Sequence, residues 1–180
     1  MCRVQFFYTL FYGSTILAAT LLSAGCSSQL IVKHDYDNSV NFRQYSNYNW
    51  MDTAGSDGVN DLNDTRIRNA VERDLASKGY FKTTGGDPEL LVTYELIITD
   101  KEDVITHNYG YWRGARSETY VDVSVYREGT LVVDIVNPAQ NRVIFRGWAT
   151  GVVQGELSPE QSEALINRAV SKILGKFPPN

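Results

Sequence analysis

Beyond residue 29, the chain is dominated by short stretches in which apolar and polar residues alternate, as in strands with one buried face. These stretches cover residues 30–36, 48–51, 90–99, 119–127, 131–135 and 143–152. Glu128-Gly129 has the composition of a tight hairpin turn, and residues 137–141 form a second turn. The last three strands are therefore predicted to form a meander. The polar residues 100–118 predict the longest loop of the domain.

One segment in the first half of the chain changes to the three- and four-residue spacing of an amphipathic helix. We predict this helix over residues 64–78, with Asp61 or Asp64 as the cap at its start. Gly79 follows the helix and can adopt the left-handed conformation that ends one.

A second helix has the clearest start signal in the chain. Ser158 is the predicted N-cap, Pro159 occupies the first helical position, and Gln161 completes a capping box. Its predicted apolar face consists of Leu165, Ala169, Ile173, Leu174 and Phe177. Two one-sided helices and about five strands predict an α+β fold, with a mostly antiparallel sheet and both helices packed on one face.

The first 25 residues differ from the rest of the chain. They contain a single charged residue, Arg3, and a mostly apolar stretch from about residue 4 to residue 22. The small residues Ala24 and Gly25 then precede Cys26. A basic start, an apolar middle and small residues at the end are typical of a secretory signal peptide.

This segment resembles the lipobox of bacterial lipoproteins, whose cysteine forms a thioether to diacylglycerol, although Ser23 stands where the lipobox prefers Leu. The alternatives are an ordinary secretory peptide or an uncleaved anchor, and polar interruptions weaken a membrane span. The expected organisation is a signal peptide over residues 1–25, a lipidated tether over 26–29 and a single α+β domain over 30–180.

Lipidation of Cys26 would leave the exported domain without a thiol, because Cys2 lies in the segment to be removed. A diacylglycerol supplies the two acyl chains that stable anchoring requires. In Gram-negative lipoproteins, a residue such as Ser27 after the cysteine implies transfer to the outer membrane. The resemblance thus implies a lipid-anchored protein on the periplasmic face of the outer membrane.

The charge of the chain disfavours nucleic acid as a partner. The net charge is −4, and removal of Arg3 would leave 16 basic against 21 acidic residues, a net charge of −5. No cluster of Lys and Arg forms a basic stripe. The chain also contains 11 Tyr and 3 Trp, residues that suit half-exposed sheet faces and contacts with proteins or carbohydrates.

Candidate catalytic and metal-binding residues do not form a convincing set. His34 and Asp35 are neighbours in a predicted strand and should point to opposite faces, while His107 falls in the predicted loop. Asp122 and Asp134 are predicted on adjacent strands, facing solvent, with no sign of a cleft. We therefore expect no enzyme, no metal site and no cofactor.

Two aromatic segments are candidate contact surfaces. The predicted loop 108–114 contains Tyr109, Tyr111, Trp112 and Arg113 between glycines, a composition suited to a protein or ligand contact. Trp148, next to Arg146, could bind a sugar ring or an aromatic side chain of a partner. The alternative for Trp148 is that it packs beneath a helix, with Gly147 permitting close approach of that helix.

A set of short segments spread over nearly the whole predicted domain resembles a family of bacterial envelope lipoproteins, the domain of unknown function 4136. The segments are Asp35-Tyr36-Asp37, Phe42, Tyr45, Trp50, Leu75, Lys78-Gly79-Tyr80, residues 87–92, residues 129–134, residues 146–149 and Phe177-Pro178-Pro179. The resemblance implies an α+β fold and an envelope location. No activity is established for the family, so it implies no catalytic residue.

These observations lead to a main functional hypothesis and two alternatives. The first is a membrane-anchored, non-enzymatic accessory protein that contacts another envelope protein. The second is a module that binds a glycan or small ligand through Tyr111, Trp112 and Trp148. The third and weakest is an envelope hydrolase that uses Asp122 and Asp134.

Overall fold

The computed structural model describes residues 29–52, 59–109, 118–153 and 155–179. Over these residues the chain forms six strands, two α-helices and a short 3-10 turn. The strands are β1 (Ile31–Tyr36), β2 (Asn47–Trp50), β3 (Phe81–Lys82), β4 (Leu90–Tyr109), β5 (Glu118–Asn137) and β6 (Arg142–Val153). The helices are α1 (Asp61–Ser77) and α2 (Pro159–Leu174), and the 3-10 turn is Phe42–Gln44.

The described strands form one mixed sheet in the order β1-β6-β5-β4-β2-β3. Neighbours from β1 through β4 are antiparallel, whereas β2 pairs in parallel with both β3 and β4. The parallel pairs arise because α1 carries the chain back across the sheet between β2 and the strands that follow. The α+β class is therefore confirmed, with six strands in place of about five and with parallel pairs at one edge.

The prediction for the middle of the chain is wrong in two places. The polar residues 100–109 continue β4 and do not belong to a loop. Glu128 and Gly129 lie inside β5, where they pair with β4 on one side and β6 on the other. Pairing on both sides holds this dipeptide extended, so the predicted meander of three short strands is replaced by the long strands β4 and β5 and by β6.

The sheet has two parts that differ in what surrounds them. In the part that we call the body, β5 lies between β4 and β6, and the first three residues of β4 also pair with β2. Beyond the pair Arg127–Val153, at which β6 ends, β4 and β5 pair only with each other. We call this two-stranded extension, residues 100–109 and 118–126, the arm. The end of the arm that adjoins the body is called its root.

Both helices pack on one face of the body and form a single core with it. The sheet contributes Val92, Tyr94, Leu131, Val133, Ile135, Phe145 and Ala149 to this core. The helices contribute Ile67, Ala70, Val71 and Leu75 from α1 and Ala169, Val170, Ile173 and Leu174 from α2. The packing of both helices on one face agrees with the prediction. The other face of the body carries no helix among the described residues, and we call it the helix-free face.

The helix ends follow the sequence signals with one exception. The side chain of Ser158 accepts from the backbone of Gln161, and the Gln161 side chain accepts in return, so the predicted capping box is confirmed. Gly79 is confirmed in the left-handed region, with φ at +87°. The cap of α1, however, is Asn60, whose side chain accepts from the backbone of Asn63.

Gly147 of β6 allows α2 to approach the sheet closely. A Cβ atom built on Gly147 would lie 2.7 Å from Cγ2 and 3.2 Å from the carbonyl oxygen of Ile173. Any larger residue would therefore push α2 away from the sheet, which confirms the role predicted for this glycine. Among the described helices, none is long and apolar enough to cross a membrane.

Candidate functional site

Most of the residues predicted as sites lie outside the described residues. Cys26, Tyr111, Trp112 and Arg113 all belong to segments that the structure does not describe. Tyr109 is the last residue of β4, at the far end of the arm from the body. Within the described part of the chain, the features with functional potential are the helix-free face around Trp148, a cleft at the edge of the sheet, and the arm.

Trp148 lies on the helix-free face of the body, where it is partly exposed. Its neighbours across the strands are Lys33 of β1 and Val132 of β5. The strand alternation directs Gly147 and Ala149 toward the helices and therefore Trp148 away from them. The alternative that Trp148 packs beneath a helix is wrong, and the residue is free to contact a ligand or partner.

An ion pair lies on the same face as Trp148. Arg146 donates from Nε to Oδ1 of Asp134 over 2.7 Å and from Nη2 to Oδ2 over 2.5 Å. These hydrogen bonds and the charge of the carboxylate hold the pKa of Arg146 above its usual value. Asp134 is only 8% exposed. The two side chains thus form a planar, bidentate ion pair, in which the Arg146 guanidinium is open to solvent and the Asp134 carboxylate is buried.

The predicted pair of carboxylates does not exist as a pair. Asp122 and Asp134 are on the same strand, β5, and not on adjacent strands. Twelve residues of extended chain separate them by about 40 Å. Asp134 is also buried against Arg146, where solvent exposure was predicted. Asp122 and Asp134 are therefore too far apart to act together as the acid and base of a hydrolase.

An open cleft of about 390 Å³ lies where the end of β1 pairs with the start of β6. It is lined by Asp35, Tyr36, Asp37, Val143, Ile144 and Arg146. The side chain and backbone of Ser39 donate to the Asp37 carboxylate, which also pairs with Arg142. These contacts, those of Ser39 above all, keep the pKa of Asp37 below its usual value. Asp37 is therefore an ionised structural acceptor and is poorly suited to proton transfer.

A cluster of aromatic and charged side chains joins α1 to the sheet. The Arg68 guanidinium lies 4.7 Å from the ring centroid of Trp50 and 5.9 Å from that of Tyr94. Asp64 accepts from Arg68 and from the Tyr94 hydroxyl, and Glu72 accepts from Nε1 of Trp50 over 2.7 Å. Every group in the cluster has a partner within it, so the cluster holds α1 in place and offers no open site.

The two faces of the arm differ in character. Val104 and Val123 lie opposite each other across β4 and β5, and Val121 and Val125 flank them on the same face, which confirms the predicted common side of the three β5 valines. We call these four residues the valine face, and each is 50–67% exposed. The opposite face carries Lys101, Asp103, Ile105, Asp122, Ser124 and Tyr126. No sequence signal identified this surface, because the residues before Tyr109 were taken for a loop.

His34 takes part in the packing of α2. Its Nε2 lies 3.2 Å from the carbonyl oxygen of Lys172, on the helix-bearing side of β1. Asp35 points to the other face, as predicted. Within the described ranges, no group of three or more His, Cys, Asp or Glu side chains is placed to hold a metal ion.

Comparison with known proteins identifies one family model. The model described as a domain of unknown function, DUF4136, matches residues 32–179 of the chain. This match covers almost the whole of the body and arm. None of the curated proteins matches the chain.

Several solved structures are similar to the chain at low sequence identity. A PDZ domain protein from Parabacteroides distasonis ATCC 8503 is 14% identical, with a TM-score of 0.53 over 85% of this chain and 37% of that one. The PelC dodecamer from Paraburkholderia phytofirmans is 7% identical, with a TM-score of 0.48 over 81% of this chain and 95% of that one.

A putative neuraminyllactose-binding hemagglutinin homolog from Helicobacter pylori is 13% identical, with a TM-score of 0.40 over 75% of this chain and 87% of that one. The chain thus spans little more than a third of the length of the PDZ domain protein. At 14% identity, the likeness to the PDZ domain protein concerns the fold and says nothing of a shared activity.

Proposed function

We propose, from the premise that the chain belongs to the DUF4136 family, that this protein is a lipid-anchored, non-enzymatic envelope protein that acts through protein contact. In this proposal, Cys26 carries the lipid, the domain lies at the periplasmic face of the outer membrane, and the arm is the contact surface. The observation that carries the proposal is the valine face, an apolar surface projecting beyond the core.

An isolated two-stranded hairpin is marginally stable in water, and its free edges invite pairing with another chain. Soluble monomers seldom expose contiguous aliphatic surface, so a row of half-exposed valines on such a hairpin favours a partner. The described part of the arm contains four of them on one face. Asp100 and Glu102 lie on the same side as the valine face, near the root, whereas Lys101, Asp103 and Asp122 lie on the opposite face, which would remain in solvent when the valine face is covered.

The course of the chain is compatible with a lipid anchor close to the arm. The carbonyl oxygen of Gln29 lies 3.8 Å from the Cβ position of Gly151, two residues before the end of β6 at the root. Only two residues lie between Cys26 and Gln29, a reach of about 11 Å at most. A lipid on Cys26 would therefore hold the root of the arm close to the membrane surface.

Photo-crosslinking in intact cells tests this function. A photoreactive residue at Val123 should capture a discrete protein partner, whereas the same residue at Asp122, on the opposite face, should capture at least fivefold less. Cys26→Ala should release the protein from the membrane fraction and reduce the capture. Equal capture from positions 122 and 123, or membrane retention of the Cys26→Ala variant, would contradict the proposal.

A second candidate function is binding of a glycan or small ligand on the helix-free face. The observation in its favour is the placement of the partly exposed Trp148 beside Arg146 and Asp134, since an aromatic ring with neighbouring hydrogen-bonding groups suits a sugar ring. Titration with peptidoglycan fragments should then change the tryptophan fluorescence. The change should disappear in Trp148→Phe and persist in Trp112→Ala; no change with any glycan would exclude this function.

A further inference from the structure

We infer that the open cleft where the end of β1 pairs with the start of β6 binds a zwitterionic amino-acid group, in which a carboxylate lies next to an ammonium. Arg146 binds the carboxylate and Asp35 binds the ammonium. The juxtaposition that carries this assignment is a guanidinium with a free edge beside a carboxylate without a partner, both in the lining of one cleft of about 390 Å³. Such binding goes beyond the proposed function and depends on neither the lipid nor the arm.

Arg146 is held in place on one side and open on the other. Its Nε and Nη2 donate to the Asp134 carboxylate, which is only 8% exposed. No described residue accepts a hydrogen bond from Nη1 of Arg146, and the side chain is 52% exposed. Because Asp134 already fixes the guanidinium, little side-chain freedom is lost when a ligand accepts from its free edge.

Asp35 supplies the second half of the site. It lies directly opposite Arg146 across β1 and β6 and is exposed on the same helix-free face. Side chains in such pairs have their Cβ atoms about 5 Å apart. Asp35 nevertheless has no hydrogen bond or ion pair with a described residue, since Arg146 turns to Asp134 on the other flanking strand. The Asp35 carboxylate therefore keeps its full capacity to accept from a ligand.

The charges of the cleft select a ligand that carries both signs. A simple anion attracted by Arg146 is repelled by Asp35, and a simple cation attracted by Asp35 is repelled by Arg146. A zwitterion presents the complementary charge to each of the two side chains at once. In an amino acid the nitrogen and the carboxyl carbon are only about 2.5 Å apart. One such group therefore fits between two side chains that project from neighbouring strands.

The remaining walls of the cleft agree with a small ligand of this kind. Asp37 accepts from Ser39 and pairs with Arg142, so it adds no free charge that would compete with Asp35. Tyr36 and Val143, which are 39% and 41% exposed, supply aromatic and aliphatic surface. Apolar surface with a few convergent polar groups is typical of small-molecule sites. A short aliphatic side chain, such as the methyl group of alanine, suits this lining.

Two sources carry a zwitterionic amino-acid group of this kind. One is a free amino acid, and the other is a diamino acid in a peptidoglycan peptide, whose side chain ends in the same group. Trp148 lies two residues beyond Arg146 on the same face, about 7 Å along β6. A peptidoglycan fragment also carries sugars that can contact this ring, whereas a free amino acid does not extend so far. The second source would link the cleft to the second candidate function.

Isothermal titration of the full chain, purified in detergent, tests the chemistry of the ligand. The probes are alanine and two analogues that each lack one charge, N-acetylalanine without the ammonium and alaninamide without the carboxylate. We expect each analogue to bind about tenfold more weakly than alanine, because each loses one charge-assisted contact. Equal binding of alanine and N-acetylalanine, or no binding of alanine, would overturn the inference.

The role of Asp35 is tested by a substitution with a matched control. Asp35→Asn should weaken alanine binding about tenfold and leave the weaker binding of N-acetylalanine unchanged, since only the ammonium contact is lost. The fold should be retained because Asp35 is exposed. Glu95→Gln removes an exposed carboxylate from β4 on the same face and should change neither affinity. Equal effects of the two variants would show a general influence of charge and overturn the assigned contact.

The role of Arg146 is tested by Arg146→Lys. Lysine keeps a positive charge beside the buried Asp134 but lacks the planar fork that binds two oxygens. We expect weaker binding of alanine and unchanged binding of alaninamide, which has no carboxylate to lose. Circular dichroism shows whether the fold is retained. An unchanged affinity for alanine in this folded variant would exclude Arg146 as the carboxylate ligand and overturn the inference.

Tryptophan fluorescence distinguishes the two sources. A peptidoglycan fragment that contacts Trp148 should change the fluorescence of wild type and not that of Trp148→Phe, whereas alanine should bind without this change. If the fragment binds no more tightly than alanine and leaves the fluorescence unchanged, the free amino acid is the source. The contact function is tested separately, because loss of capture at position 123 leaves alanine binding intact, and loss of alanine binding in Asp35→Asn leaves that capture intact.

Discussion

The body and the arm are built from the same two strands, yet their side chains have opposite surroundings. In the body, Val133 and Ile135 of β5 are fully buried. In the arm, Val123 and Val125 of the same strand, in the same alternation, are 52% and 67% exposed. The backbone pairing with β4 is continuous through both regions. The difference therefore comes from the surroundings of these two strands: in the body the helices cover them and β6 flanks β5, whereas in the arm none of these described elements lies beside them.

A hydrophobic pattern is often taken to predict both which face of a strand is apolar and whether that face is buried. The comparison of body and arm shows that these are separate properties. Alternation determines which face of a strand is apolar, because successive side chains point to opposite sides. Burial requires a second layer, and no local pattern in the strand shows where that layer ends. We therefore expect substitutions in the body to lower the free energy of unfolding strongly and substitutions in the arm to affect association.

The largest effect is expected for Phe145→Ala in the body. Phe145 is fully buried between β6 and the helices and contacts the ring of Phe177, with centroids 5.1 Å apart. The lost contacts and the remaining cavity should lower the free energy of unfolding by about 3–5 kcal/mol, measured by urea denaturation. In dilute protein, Val123→Ala in the arm should change it by less than about 0.5 kcal/mol. Similar losses of unfolding free energy for both variants would contradict the expected difference between body and arm.

A smaller effect is expected for Gly147→Ala. The added methyl group overlaps Ile173 and forces α2 away from the sheet. Such overpacking should cost about 1–3 kcal/mol of unfolding free energy, measured as a shift of the denaturation midpoint. Gly85→Ala is the matched control, since no atom lies within 4 Å of its Cβ position. An unchanged midpoint for Gly147→Ala would show that α2 tolerates displacement.

Loss of the α2 cap should have an effect of about 1 kcal/mol. Ser158→Ala leaves the backbone N–H of Gln161 without its side-chain acceptor. We expect a lower thermal midpoint with the arm unaffected, which hydrogen exchange resolved by peptide can show. Ser171→Ala, an exposed position in the same helix, should change stability by less than about 0.5 kcal/mol. Equal effects at both serines would argue against the cap.

The smallest effect on stability is expected for Glu89→Gln, at the start of β2 and β4, and it should depend on pH. The backbone N–H groups of Ser46 and Asn47 donate to the Glu89 carboxylate and hold its pKa below the usual 4.5. A lowered pKa in the folded state stabilises the fold above pH 4.5, and this stabilisation is lost as the pH falls through the folded value. Wild type should therefore exceed Glu89→Gln in stability at pH 7 and approach it in acid. A difference that persists unchanged at low pH would contradict this.

The sequence predicted those elements whose signals are local. The capping box at Ser158, the left-handed Gly79 and the alternation of the β5 valines depend on neighbouring residues, and all three are confirmed. The polar run of residues 100–109 was taken for a loop because polar and charged residues outnumber apolar ones in it, so that no hydrophobic alternation indicated a strand. The Glu128-Gly129 pair was taken for a turn because its extended conformation depends on the strands that flank it on both sides.

The candidate site was predictable to a smaller extent, for the same reason. The sequence singled out Trp148 as a possible contact residue, but only the position of the helices shows which face it occupies. The valine face could not be found from the sequence, since Val121, Val123 and Val125 look like the core residues Leu131 and Val133. Whether a strand residue is buried depends on distant residues, here those of α1 and α2.

The continuity of β5 also has a mechanical consequence. The strand runs for 20 residues from the arm into the centre of the sheet, with β4 and β6 bonded along its flanks. Inter-strand hydrogen bonds lie across the strands. A pull along the arm would therefore load many of them in shear at once, whereas a sideways pull would open them one by one. A protein held by lipid at one end and by a partner at the arm would be strongest along the line that joins them.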